Sequence, residues 1–187
     1  QWITKPDLLD IGANGTFYIL DSTPVEYQFQ VIDNDTSVLR TALTDRRIDP
    51  AADNNSAIRM ASERGHVDVV RLLLSDRRID PGSSKSISLF AASREGHLDV
   101  VRLLLSDTRV NPTDDNNVAL HIASQNGHTE VVRLLLSDKR VNPADDGNFA
   151  IIGASLEGNV EVVRLLLADT RVDPAAADNR AIRNASK

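Results

Sequence analysis

Residues 57–74 read AIRMASERGHVDVVRLLL. The stretch divides at Gly65. Beyond it, Val69, Leu72 and Leu73 fall at i, i+3 and i+4, and Val70 and Leu74 fall at i and i+4. Two neighbouring apolar stripes therefore run along one helix. A helix that is apolar on more than one side must be sandwiched, and a similar helix above and below supplies the sandwich. Asp68 lies in its first turn, where a carboxylate suits the positive end of the helix dipole. Arg71 follows one turn later, in reach of that carboxylate. Before Gly65 the pattern is weaker: Ala57, Ile58, Met60, Ala61 and Ser62 read as a first helix. Its small residues at 61 and 62 allow close helix approach. Gly65 ends it, because a left-handed residue stops a helix cheaply.

Working outward, the same landmarks return at a fixed interval. Pro50, Pro81, Pro112, Pro143 and Pro174 are spaced by 31 residues, as are Gly65, Gly96, Gly127 and Gly158. Arg71, Arg102, Arg133 and Arg164 keep the interval, each followed by three leucines. Full units run 50–80, 81–111, 112–142 and 143–173, and a partial one runs 174–187. Stacked helix pairs at such a period form a solenoid with one continuous core. Helix pairs are predicted near 56–64/67–75, 87–95/98–106, 118–126/129–137 and 149–157/160–168. The segment Ser75-Asp76-Arg77-Arg78-Ile79-Asp80-Pro81 links units as a turn. Pro81 cannot sit inside a helix and biases Asp80 to an extended conformation.

The unit resembles the ankyrin repeat, whose pattern is TPLHxA, then GH, an acid, VV and LLL. The match is close at Gly65-His66, Asp68-Val69-Val70 and Leu72-Leu73-Leu74 and recurs in each full unit, with Asn159 in place of the His in the fourth. The resemblance implies an all-α ankyrin-type solenoid of four full repeats with partial or degenerate terminal ones. This sequence departs from the family in several ways. Its period is 31 rather than 33. The missing residues fall in the link between units, so the projecting finger should be shorter. The Thr-Pro of TPLH is absent. Its His survives only as His121, where the other units carry Arg59, Phe90 and Ile152. The family's hydrogen-bond ladder between repeats is therefore not expected in its usual form. The pairs Ser56/Arg59, Ile87/Phe90, Val118/His121, Phe149/Ile152 and Arg180/Arg183 are read as packing between units rather than as partner contacts, which would replace the missing hydrogen bonds with an apolar ladder.

Residues 1–49 differ in kind and are read as a degenerate N-terminal repeat or cap. Val38, Leu39, Ala42 and Leu43 take second-helix places, and Asp45 to Pro50 reproduce the linker. Between 23 and 31 two readings compete. Thr23-Pro24-Val25-Glu26 resembles a helix start with a capping box and a proline at the first position. Val25, Tyr27, Phe29 and Val31 alternate with polar residues as in a strand. The degenerate repeat is favoured. Trp2, Phe17, Tyr18, Tyr27 and Phe29 lie in this part of the chain and suggest a small core of its own.

Composition narrows the function. The formal net charge of −6 and pI near 5.2 disfavour nucleic acid and anionic membrane surfaces as partners. With no cysteine there is neither a disulfide nor a thiolate metal site. No apolar run has the length of a membrane span. His66, His97 and His128 recur at the repeat period. Stacked turns hold such residues about a helix diameter apart, so they do not converge on a metal. The carboxylates recur as well, but none accompanies a nucleophile, a phosphate loop or a base with its orienting group. No enzyme activity, cofactor or metal is expected.

The units differ most at Met60, Ala91, Ile122 and Gly153; at Glu63, Arg94, Gln125 and Leu156; and at Arg64, Glu95, Asn126 and Glu157. Within each first helix these positions lie at i, i+3 and i+4, hence on one face. By the resemblance, that face and the finger tips hold protein partners. The candidate partner-binding residues are Met60, Glu63, Arg64, Arg94, Glu95, Ile122, Gln125, Asn126, Leu156 and Glu157. The alternatives are a solvated face drifting freely, self-association through open stack ends, and a targeting module of a larger protein. The sequence leaves the compartment open.

Overall fold

A computed structural model describes residues 8–10, 16–18, 36–46, 49–173 and 175. The two readings of residues 23–31 and the pair Arg180/Arg183 lie outside the described residues. The elements described are a short antiparallel pair, β1 (Leu8–Asp10) with β2 (Thr16–Tyr18), and nine helices. Helix α1 spans Ser37–Thr44. Four pairs follow: α2 (Ala52–Glu63) with α3 (Val67–Leu74), α4 (Ser83–Glu95) with α5 (Leu98–Leu105), α6 (Asp114–Gln125) with α7 (Thr129–Ser137), and α8 (Asp145–Leu156) with α9 (Val160–Leu167). First helices stack on first helices in the order α2, α4, α6, α8, and second helices stack as α3, α5, α7, α9. The core lies between the two layers. Ile58, Leu89, Leu120 and Ile151 enter it from the first layer, and Leu73, Leu104, Leu135 and Leu166 from the second, all essentially without solvent contact. Ile79, Val110 and Val141 of the linkers close one edge and are also buried. Val160 and Leu167 are exposed, and no described helix packs beyond α9.

The first helices have an unusual entry. Asp53 (φ 53°), Asn54 (φ 55°) and Asn55 (φ 59°) are left-handed, as are Ser84, Lys85 and Ser86, and Asp115, Asn116 and Asn117. In the fourth unit Gly147 (φ 67°) and Asn148 (φ 63°) repeat the conformation. Right-handed geometry begins at Ser56, Ile87, Val118 and Phe149, where the apolar spacing starts each helix. Asp, Asn and Gly tolerate the left-handed region. Ser and Lys do so at a cost of roughly 1–2 kcal/mol per residue. In each unit the last left-handed residue is buried; in the first three it bonds to the next unit, and in the fourth Asn148 bonds within its own unit. Asn55 Nδ2 donates to Ser83 Oγ (2.8 Å), and the Asp80 N–H donates to Asn55 Oδ1 (3.1 Å). Ser86 Oγ donates to Asp114 Oδ2 (2.6 Å) and accepts from the Asn111 N–H (3.2 Å). Asn117 Nδ2 donates to Asp145 Oδ2 (2.5 Å), and the Asp173 N–H donates to Asn148 Oδ1 (3.2 Å).

This corrects the apolar replacement expected for the TPLH ladder. A ladder of polar side chains links the units, and it begins one residue before the varying pairs. Those pairs pack only in part. The His121 and Phe149 rings lie 6.0 Å apart, and Ile152 is buried, yet Phe149 is 45% exposed.

A second ladder runs through the linkers and explains their Asp-x-Arg sequence. Arg109 pairs with Asp107 (2.6 Å) in its own turn, and reaches back to donate to the carbonyls of Ile79 (2.7 Å) and Leu74 (3.0 Å). Arg78 reaches Leu43 O, Arg140 reaches Val110 O and Arg171 reaches Val141 O in the same manner. The arginine hydrogen bond holds Asp76, Asp107, Asp138 and Asp169 below the ordinary carboxylate range, with burial opposing it. A depressed folded-state pKa adds stability above the unfolded value near about 4, and that stability is lost as pH falls through the folded value. Melting temperatures followed by circular dichroism should therefore hold down to about pH 4 and drop below it. Asp107→Asn should lower the plateau and shallow the acid limb. An acid limb of unchanged depth in that variant would contradict the assignment.

Candidate functional site

The varying positions of the first helices form three rows along the array. In the row of Met60, Ala91, Ile122 and Gly153, Ala91 is buried while Met60 and Ile122 are half-buried. The next row opens outward: Glu63 and Arg94 are partly exposed, Gln125 is exposed, and Leu156 is 61% exposed, the highest value of any large apolar side chain described. Arg64, Glu95, Asn126 and Glu157 make the last row and are all exposed.

Charge on this face is partly neutralised from within. Arg94 Nη2 lies 2.7 Å from Glu63 Oε1 of the preceding unit, and its Nε lies 2.7 Å from Glu95 Oε1. Its pKa is pushed up, first by the hydrogen bond with Glu95 and further by Glu63, with burial opposing. The same guanidinium sits 5.8 Å from the centroid of the Phe90 ring. Asn126 Nδ2 donates to the Arg94 carbonyl (2.8 Å). The first three units are thus joined across the face through Glu63, Arg94 and Asn126. Exposed ion pairs of this kind contribute little to stability, but they hold Arg94 in one place.

The GH pairs lie along the edge of the face and serve the framework. His97 Nε2 donates to the Glu63 carbonyl (2.9 Å), and His128 Nε2 to the Arg94 carbonyl (2.8 Å). A carbonyl only accepts, so Nε2 is the protonated nitrogen of each ring. In the fourth unit Asn159 takes this place and donates to Ser124 O and Gln125 O. Each of these side chains packs on the glycine of the preceding unit. His97 and His128 are engaged with different units and do not converge. The linker arginines Arg78, Arg109 and Arg140 are likewise occupied by the second ladder.

Helix pairs in two layers, a turn built on Gly-His, and a surface of first-helix side chains that changes from unit to unit define the architecture. A family model described as ankyrin repeats (3 copies) matches residues 29–116 and 89–178, most of the chain. The chain is an ankyrin repeat protein. A comparison with curated proteins finds no match. Ankyrin repeats are, as a family, protein–protein interaction modules without enzymatic chemistry. Among the described residues no helix is long and apolar enough to cross a membrane.

Two features of the ankyrin array's surface are not legible in its sequence. One is the exposure of Phe149, which the sequence assigns to packing between units. The other is a salt bridge between the left-handed tips of neighbouring units, Lys85 Nζ to Asp115 Oδ1 at 2.5 Å. The run Ser84-Lys85-Ser86 departs from the Asp and Asn of the other tips, which is the only signal of it in the sequence.

Proposed function

We propose that this ankyrin array binds a protein partner through its first-helix face, with Met60, Glu63, Arg64, Arg94, Glu95, Ile122, Gln125, Asn126, Leu156 and Glu157 as the contact set. In this reading residues 50–187 are the recognition array and residues 1–49 a degenerate N-terminal repeat or cap. The mechanism is recognition by shape and a few side chains, with no covalent chemistry and no cofactor. One observation carries the reading. The side chains that repeat between units, the linker arginines and the histidines, are consumed by bonds within the array, whereas the varying ones of the two outer rows reach solvent. A surface fixed in place by two ladders and the histidine bonds loses little conformational entropy on binding, which favours affinity.

The test is a double variant, Arg94→Ala with Leu156→Glu, titrated calorimetrically against a protein recovered on the immobilised full chain. Both side chains are at the surface, and the pairs lost with Arg94 are exposed, so stability should fall by no more than about 1 kcal/mol. Affinity should fall by more than about 1 kcal/mol. Arg94→Glu is a poorer choice, because it would set three carboxylates together with Glu63 and Glu95. Unchanged affinity in the folded double variant would remove these residues from the interface.

A further inference from the structure

The charge of the chain is not spread evenly over the array. Units 50–80, 81–111 and 112–142 carry five acids against five bases, three against four, and four against three. Unit 143–173 carries six acids against two arginines. Both arginines are already paired within the unit, Arg171 with Asp169 and Arg164 with Glu161. The most acidic unit is also the one whose first helix exposes large apolar side chains, Phe149 at 45% and Leu156 at 61%.

Phe149 and Leu156 are two helical turns apart, about 10 Å along the axis of α8, and lie on one stripe. Gly153 sits between them on that stripe. Its backbone is not left-handed, so the conformation does not call for glycine. Space does not call for it either: a Cβ there would meet Gln125 Cβ at 3.4 Å, an ordinary contact. The equivalent positions carry Met60, Ala91 and Ile122. A glycine inside a helix lowers its stability relative to alanine. Its effect at 153 is to bare the helix between two apolar walls, with Gln125 along the side. Glycine leaves no side chain between Phe149 and Leu156, a gap termed a dimple below, and Glu157 is exposed beside Leu156.

We propose that this dimple is the anchor point for the partner, and that it takes one large apolar side chain from a protein segment that is otherwise basic. The proposal rests on the protein-binding reading above and adds where the anchor sits and what chemistry it selects. An apolar side chain enclosed by Phe149, Leu156 and the bare turn at Gly153 has the form of a binding hot spot. The surplus acids of the unit attract a basic segment and reject an acidic one, which sets orientation and association rate. Nucleic acid and anionic lipid carry the wrong charge for this surface.

The experiment is selection of a phage-displayed random peptide library on the full chain, followed by fluorescence anisotropy of the enriched peptides. They should carry an excess of Lys and Arg around a recurrent large apolar residue. Their affinity should fall about tenfold or more for Gly153→Met, which fills the dimple without changing charge, and for Leu156→Glu. Both changes are on the surface, and Met favours the helix, so a thermal melt will show whether each variant is folded. Arg102→Ala, at an exposed position on the second-helix layer, should leave their affinity unchanged. Enriched peptides that are acidic or neutral would overturn the proposal. So would peptides that ignore Gly153→Met and Leu156→Glu but lose affinity with Arg94→Ala, and in that case the protein-binding reading would stand. A wild-type chain that enriches no peptide above the naive library would remove both.

Discussion

Replacing Leu104 by alanine should destabilise the array by about 2–5 kcal/mol. Leu104 has no solvent contact and lies in α5, an interior helix of the second layer. Leu73 and Leu135 hold the same place in the units on either side, and both are equally buried. Truncation removes apolar surface from the core and leaves a cavity. The neighbours have little freedom to fill it. The linker arginines and the histidines fix the spacing of successive units, so collapse onto the void would break their hydrogen bonds, those of the arginines being charge-assisted. Arg102→Ala in the same helix is the control. Its side chain is exposed, and its loss should stay within about 0.5 kcal/mol. Urea titrations compare the two. Equal losses would contradict the placement of α5.

Gly96→Ala should be the next most damaging single change, for two separable reasons. Gly96 ends α4 with φ 78° and ψ 22°, a conformation that costs alanine roughly 1–2 kcal/mol. An added Cβ would also fall 2.5 Å from Nδ1 of His128, whose ring rests on this glycine. To make room the ring must move, and its bond to the Arg94 carbonyl goes with it. Gly158→Ala isolates the first reason. Gly158 has φ 72°, but nothing lies within 4 Å of a Cβ built there. Gly96→Ala should therefore cost about 1–3 kcal/mol more than Gly158→Ala, the usual range for overpacking. Thermal or urea melts of both variants measure the difference. Equal costs would mean that the ring does not brace the units.

The two variants also mark what the sequence could and could not convey. The helix pairs were legible because apolar residues at i, i+3 and i+4 returned at one period. The right-handed helices begin at Ser56, Ile87, Val118 and Phe149, where that spacing begins. The left-handed entries were not read. Asp53-Asn54-Asn55 and Asp115-Asn116-Asn117 hold residues that suit the conformation, but Ser84-Lys85-Ser86 does not, so no common signature stands out. The polar ladder was missed for a different reason. Its bonds join residues such as Asn55 and Ser83 or Ser86 and Asp114, far apart in sequence and brought together only by stacking. The absent His of TPLH draws the sequence reading to positions 59, 90, 121 and 152 instead.

For the candidate face, helical spacing was enough to group the rows. It was not enough to assign burial. Ala91 falls in a row of otherwise accessible positions yet is buried, and Arg94 is held between Glu63 and Glu95. Leu156, placed on the candidate face by its spacing, is 61% exposed.

Recognition through the first-helix face is tested most directly by photo-crosslinking. A photo-reactive residue is placed singly at 64, 95, 126 or 157 on the last row of that face, and at 71, 102, 133 or 164 on the second helices. All of these positions are exposed, so neither set disturbs the core. With a protein partner recovered on the immobilised full chain, crosslinks should form from the first set and not from the second. Crosslinks from Arg71, Arg102, Arg133 or Arg164 alone would contradict the account, because they would put the partner on the second-helix layer.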